Sequence, residues 1–136
     1  MDITGKGMRK DMDNMDRREG EQMARLACKA LSEKKAVDIK VIDIHEVSVL
    51  ADYFIISTAS NPNQVQAMVD HVDEILGKAG HAVKHVEGTR GSSWILMDFG
   101  DVIIHIFDEE NRLFYDLERI WRDGVAVDAK IFMDGD

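Results

Sequence analysis

The alternation of apolar and polar positions is sharpest between residues 94 and 107. Trp94-Ile95-Leu96-Met97-Asp98 and Val102-Ile103-Ile104-His105-Ile106-Phe107 form two apolar runs around a Phe99-Gly100 turn, with Asp98 and Asp101 as its flanks. That is the pattern of a tight β-hairpin. Gly100 can supply a positive φ in the turn. Pairing Asp98 with Asp101 sets Leu96 opposite Ile103 and Trp94 opposite His105. Period two then sorts the side chains. Trp94, Leu96, Asp98, Asp101, Ile103, His105 and Phe107 share one face, and Ile95, Met97, Val102, Ile104 and Ile106 share the other. The second face is wholly apolar and must be covered. The first mixes an indole, an imidazole and two carboxylates with aliphatics. It is either an ordinary half-buried surface or a place where something docks.

The rest of the chain supplies the cover. Met23, Leu26, Ala27, Ala30 and Leu31 recur at helical spacing, which predicts a helix from Glu21 that ends near Lys34 and Lys35. Residues 1–20 carry Gly5, Gly7 and Gly20 and no sustained periodicity, the signature of a flexible N-terminal extension. Val37 to Ile44 and Asp52 to Thr58 read as strands with apolar residues on both faces. A second helix is announced by Asn61 as cap, Pro62 at the first helical position and Gln64 as capping-box partner. Its stripe is Val65, Met68, Val69, Val72, Ile75 and Leu76, and Gly77 and Gly80 end it. A strand from about His81 to Val86 and a Gly-rich loop lead into the hairpin. A last helix, about Phe114 to Arg122, stops at Gly124. The order α-β-β-α-β-β-β-α predicts an α/β domain over residues 21–124, with a mixed sheet of about five strands flanked by helices. Residues 125–136 form an acidic tail with a weakly apolar Ile131-Phe132-Met133.

Composition narrows the function. A chain of 136 residues, 45% hydrophobic, can bury one ordinary core. No apolar run approaches the roughly 20 residues of a membrane span, and the N-terminus lacks the apolar centre of a signal peptide. The expected compartment is cytoplasmic. The formal net charge is −9 and the basic residues are scattered, which disfavours a phosphate backbone and favours a basic protein partner. The single cysteine, Cys28, excludes an intrachain disulfide and fits a buried, inert thiol.

Chemical motifs are sparse. His81 and His85 lie four apart on a predicted strand, a span of about 13 Å that is too long for one metal ion. Asp98 and Asp101 lack a third oxygen ligand, and their ordinary role is to bond turn backbone. Asp98-Phe99-Gly100 matches the kinase magnesium tripeptide without the other kinase motifs. Gly88 to Ser93 could expose backbone N–H groups to an anion but precedes no helix. His105 shares a strand face with Asp101 and Trp94, either packed on the indole or tuned for acid–base work. The last helix presents Tyr115, Glu118, Arg119 and Arg122 beside its apolar side, residue types common at protein interfaces.

Taken together, Asp52-Tyr53-Phe54-Ile55-Ile56, Gln64-Val65-x-Ala67, Glu87-Gly88, the Trp94–Phe107 hairpin and Arg112-x-x-Tyr115-x-Leu117-Glu118-x-Ile120-Trp121 resemble the ribosomal silencing factor (Iojap) family over about residues 20–122. The resemblance implies a nucleotidyltransferase-like topology without the catalytic motif of those enzymes. It also implies no catalysis and no cofactor or metal. The implied partner is the large ribosomal subunit, through its protein numbered fourteen, with small-subunit joining blocked and translation repressed. Neither a membrane nor a specific nucleic-acid sequence is implied. On this reading the partner-binding residues are Trp94, Leu96, Asp98, Asp101, His105, Tyr115 and Glu118. Two rivals use the same face: a degenerate nucleotidyltransferase or nucleotide-binding domain built on Asp98, Asp101 and His105, and a homodimer.

Overall fold

The computed structural model describes residues 2–46, 48, 51–88, 94–109 and 125–129, and for residues 2–17 the backbone alone. The described elements are α1 (Asp2–Glu33), β1 (Asp38–Asp43), β2 (Tyr53–Ala59), α2 (Pro62–Lys78), β3 (His85–Glu87), β4 (Trp94–Asp98), β5 (Val102–Asp108) and β6 (Val125–Val127). The strands form one six-stranded sheet in the order β3-β4-β5-β2-β1-β6. Only β2 and β5 run parallel, with Ile55 beside Ile104 and Ile56 beside His105. The neighbours β1·β2, β1·β6, β3·β4 and β4·β5 are antiparallel.

The sheet has one strand more than the pattern predicts, because Val125–Val127 pairs with Val41–Asp43 just past the expected domain end at Gly124. The first helix also starts earlier, at Asp2 rather than Glu21. Few apolar residues occupy those first turns, so hydrophobic spacing cannot announce them. The third strand is shorter than predicted, three exposed residues from His85. The predicted last helix, with Tyr115 and Glu118, lies outside the described residues.

The two helices pack side by side on one face of the sheet. Met23, Ala24, Ala27, Cys28 and Leu31 of α1 and Val65, Met68, Val69, Val72 and Leu76 of α2 meet Val41, Tyr53, Ile55, Ile95, Met97, Val102, Ile104 and Ile106. The apolar hairpin face is therefore covered as its pattern demands. Burying one such Ile or Leu contributes roughly 1.5–3 kcal/mol.

Local chemistry sets the helix ends. Asn61 Oδ1 accepts the Gln64 N–H at 2.9 Å, an N-cap worth about 1 kcal/mol. Gln64 Oε1 accepts the N–H of Ser60 at 2.6 Å, one residue before the cap. Its Nε2 donates to the carbonyls of Lys34 and Lys35, at 2.9 Å each. One side chain thus clips the start of α2 to the end of α1. That end is a Schellman turn: Ala36 N–H bonds Leu31 O, Lys35 N–H bonds Ser32 O, and Lys35 takes a left-handed φ of 63°. Further along the pair, His71 Nε2 lies 2.7 Å from Glu33 Oε1 and joins the two helices again.

Gly20 marks a close approach. A Cβ there would sit 3.0 Å from Asp52 Oδ2 and 3.3 Å from Asp101 Cβ, so the glycine lets α1 pass tightly over the hairpin turn. Cys28 beneath is fully buried, and burial pushes its thiol up to about 12 against a smaller opposing pull from Arg25. It is an inert core residue.

Candidate functional site

The opposite face of the sheet carries a smaller cluster. Ile42, Ile44, Ala51, Ile56 and Phe107 are its buried members, with Phe54, Trp94 and Ile103 packed against them. Strand β4 contributes Trp94, Leu96 and Asp98, all half-buried, and β5 contributes Ile103, His105 and Phe107.

The hairpin places these side chains on the predicted face but in a different register. Trp94 stands opposite Phe107, Leu96 opposite His105 and Asp98 opposite Ile103. The loop is Gly100-Asp101, not Phe99-Gly100. Phe99 N–H donates to Val102 O at 2.9 Å, and Gly100 takes the left-handed φ of 94° at the first loop position. A glycine there is what a II′ hairpin turn requires. The physical reason is Phe99 itself, which is buried in the helix-side core instead of standing in a turn. Moving the pairing by two residues preserves every side chain's face, whereas a shift of one would have inverted them all.

Trp94 and His105 still meet, on the diagonal. The indole Nε1–H donates to His105 Nδ1 at 3.1 Å, with the ring planes 17° apart. His105 lies 4.5 Å from the Phe54 ring and 6.0 Å from that of Phe107, centroid to centroid. It is 8% exposed, and burial pushes its pKa down from 6.5 to about 4. Desolvation causes that shift, so the ring is neutral near pH 7. Phe54 has no part in the hairpin pattern. It arrives through the parallel pairing of β2 with β5, which no local signal in the sequence announces.

The remaining predicted residues separate. Asp98 Oδ1 accepts the Gly100 N–H at 2.8 Å, the turn-bonding role expected of it. Asp101 sits in the loop against Gly20 of α1, and its carbonyl accepts the N–H groups of Asp52 and Tyr53 at 2.8 and 3.1 Å. Four strand positions, about 13 Å, part it from His105. Tyr115 and Glu118 lie outside the described residues. His81 pairs with Glu19 and His85 with Glu87, each at 3.7 Å. Among the described residues no group of three His, Cys, Asp or Glu side chains is placed to hold a metal ion. None of the described helices is long and apolar enough to cross a membrane.

This fold occurs in known proteins. The crystal structure of a protein from Chromobacterium violaceum superposes with a TM-score of 0.70 at 32% identity, covering 74% of this chain and 83% of that one. The family model described as "Ribosomal silencing factor during starvation" matches residues 17–134, and the chain belongs to that family. The ribosomal silencing factor of Bacillus subtilis is 35% identical over 80% of this chain and 92% of its own length. That of Halalkalibacterium halodurans is 32% identical over 81% and 94%. The chloroplastic Iojap protein of Zea mays is 36% identical over 74% of this chain and 43% of its own length.

Proposed function

We propose that this protein represses translation by docking on the large ribosomal subunit, on its protein numbered fourteen, and excluding the small subunit by bulk. The observation that carries the reading is the half-buried Trp94, set on an aromatic cluster on the sheet face away from both described helices. A large, rigid aromatic on such a platform is the commonest kind of interface anchor. Leu96 extends the apolar contact. Asp98 meets cations on the partner, whereas Asp101, lying against Gly20 of α1, stands apart from this contact; Tyr115 and Glu118 complete the set that the family resemblance implies. A net charge of −9 suits a basic ribosomal protein and steers the encounter. A stable contact of this kind buries about 1,200–2,000 Å² in total.

No chemistry is needed for this task, and the protein acts as a cytoplasmic binding factor without catalysis. His105 suits no base: its Nδ1 already accepts a hydrogen bond and its Nε2 is buried. The test is co-sedimentation of the full chain with isolated large subunits, followed by addition of small subunits. The chain should travel with the large particle and reduce formation of the joined one. Trp94→Ala should lose both effects while keeping its circular dichroism. A chain that never co-sediments, or that leaves joining unchanged, ends this reading.

A further inference from the structure

We infer that His105 is a positioning residue for Trp94: by accepting the indole N–H on Nδ1, it holds the ring in the orientation that the docking partner meets. This rests on the docking reading of that face and specifies how its anchor is organised.

The case starts from position 105. It lies on the central strand β5 between Ile56 of β2 and Leu96 of β4, and its strand neighbours are Ile104 and Ile106. That setting, with aromatic rings around it, suits an apolar side chain. Burying an imidazole instead costs free energy unless its polar atoms are used. Among the described residues, the use is a single one. Nδ1 takes the Trp94 N–H at 3.1 Å, while Nε2 is buried and has no hydrogen-bond partner. An indole is a donor only, so Trp94 requires an acceptor, and an aliphatic neighbour offers none.

The bond also assigns the histidine's chemistry. A nitrogen that accepts carries no proton, so His105 is the neutral Nε2–H tautomer. Burial keeps it neutral at physiological pH, which keeps the acceptor available. The rings of Phe54 and Phe107 brace the imidazole, and Phe107 also stacks beside the indole at 6.1 Å. Trp94 is therefore oriented before any partner arrives. Ordering an anchor in advance reduces the entropy lost on association.

The experiment uses the full chain and isolated large ribosomal subunits. In the wild type, imidazole ¹⁵N shifts should report the Nε2–H tautomer with Nδ1 as acceptor. The Nδ1–H tautomer would overturn the inference without recourse to any variant. The Trp94 indole resonance, identified by its loss in Trp94→Phe, should move upfield in His105→Leu. That variant fills the space without an acceptor and should bind about tenfold more weakly. His105→Asn, whose Oδ1 can stand where Nδ1 does, should keep affinity to within about threefold of wild type. Wild-type affinity in His105→Leu, with binding lost in Trp94→Ala, refutes positioning and leaves docking intact. Wild-type affinity in Trp94→Ala refutes docking through this anchor and the inference with it. Should His105→Leu fail to fold, the wild-type tautomer and His105→Asn still decide.

Discussion

The two faces of the sheet come from the same strands and obey different rules. Beneath α1 and α2 the residues are mostly aliphatic, with Tyr53 and Phe99 among them, and Cys28 is a small hydrophobe made inert by burial. On the other face a buried position holds His105, and a large aromatic, Trp94, is left half-buried. Residue types on the first face are interchangeable with others of similar shape. On the second, the indole N–H of Trp94 has a particular partner in His105 Nδ1. The contrast separates the face that holds the domain together from the one on which the proposed docking rests.

The sharpest way to break the contrast is to cut a large side chain from each face. Ile104→Ala, under the helices, should cost about 3–4 kcal/mol in urea unfolding. Trp94→Ala should cost less, about 2 kcal/mol, because part of its surface is already in water. In large-subunit binding the order inverts. Trp94→Ala should lose about a hundredfold, roughly 2.7 kcal/mol, while Ile104→Ala, where folded, stays near wild type.

Acid sharpens the comparison next. The folded pKa of His105, about 4, lies below its ordinary 6.5. As pH falls through 6.5 the unfolded chain takes up a proton that the folded chain refuses. The contribution is complete above pH 6.5 and is given up on the way down to about 4, with a limit of about 3 kcal/mol. Subtracting the stability of His105→Leu at each pH isolates this slope from the carboxylates. A difference that stays flat between pH 6.5 and 5 would mean that the imidazole is hydrated.

Two smaller effects follow. Asp98→Asn removes one charge but keeps an acceptor for the Gly100 N–H, so stability should change by under about 0.5 kcal/mol. Its binding should weaken about two- to threefold at low salt and less at high salt. Cys28 should resist a thiol reagent in the folded state and react only at the rate of opening, a kinetic assay of the helix-side core.

How much of this was legible follows from the range of each signal. Both helices appear in the sequence through contacts three and four residues apart, and Asn61-Pro62-x-Gln64 marks the start of α2 because caps are local. The sorting of the hairpin's faces was legible for the same reason. Its register was not: Phe99-Gly100 and Gly100-Asp101 satisfy the same alternation, and only the burial of Phe99 under distant helices decides between them. Phe54 joins Trp94 and His105 through a parallel pairing across some fifty residues, beyond any local pattern. Val125–Val127 is too short to stand out before it finds β1. Physical spacing alone marked residues 94–107 as unusual. The docking role proposed for that face comes from the resemblance to a family, and Asp101, grouped with the face by alternation, lies against α1.

The parallel seam between β2 and β5 dictates an order of events during synthesis. β2 emerges about fifty residues ahead of the strand that will cover one of its edges, and that partner is itself half of a hairpin that must be complete. Until then β1 and β2 can pair only with each other, and their other edges are open to any extended segment nearby. Long-range closure of this kind is slow compared with helix formation. Those edges close only when β5 covers β2 and β6 covers β1, the last strand of the sheet to be made.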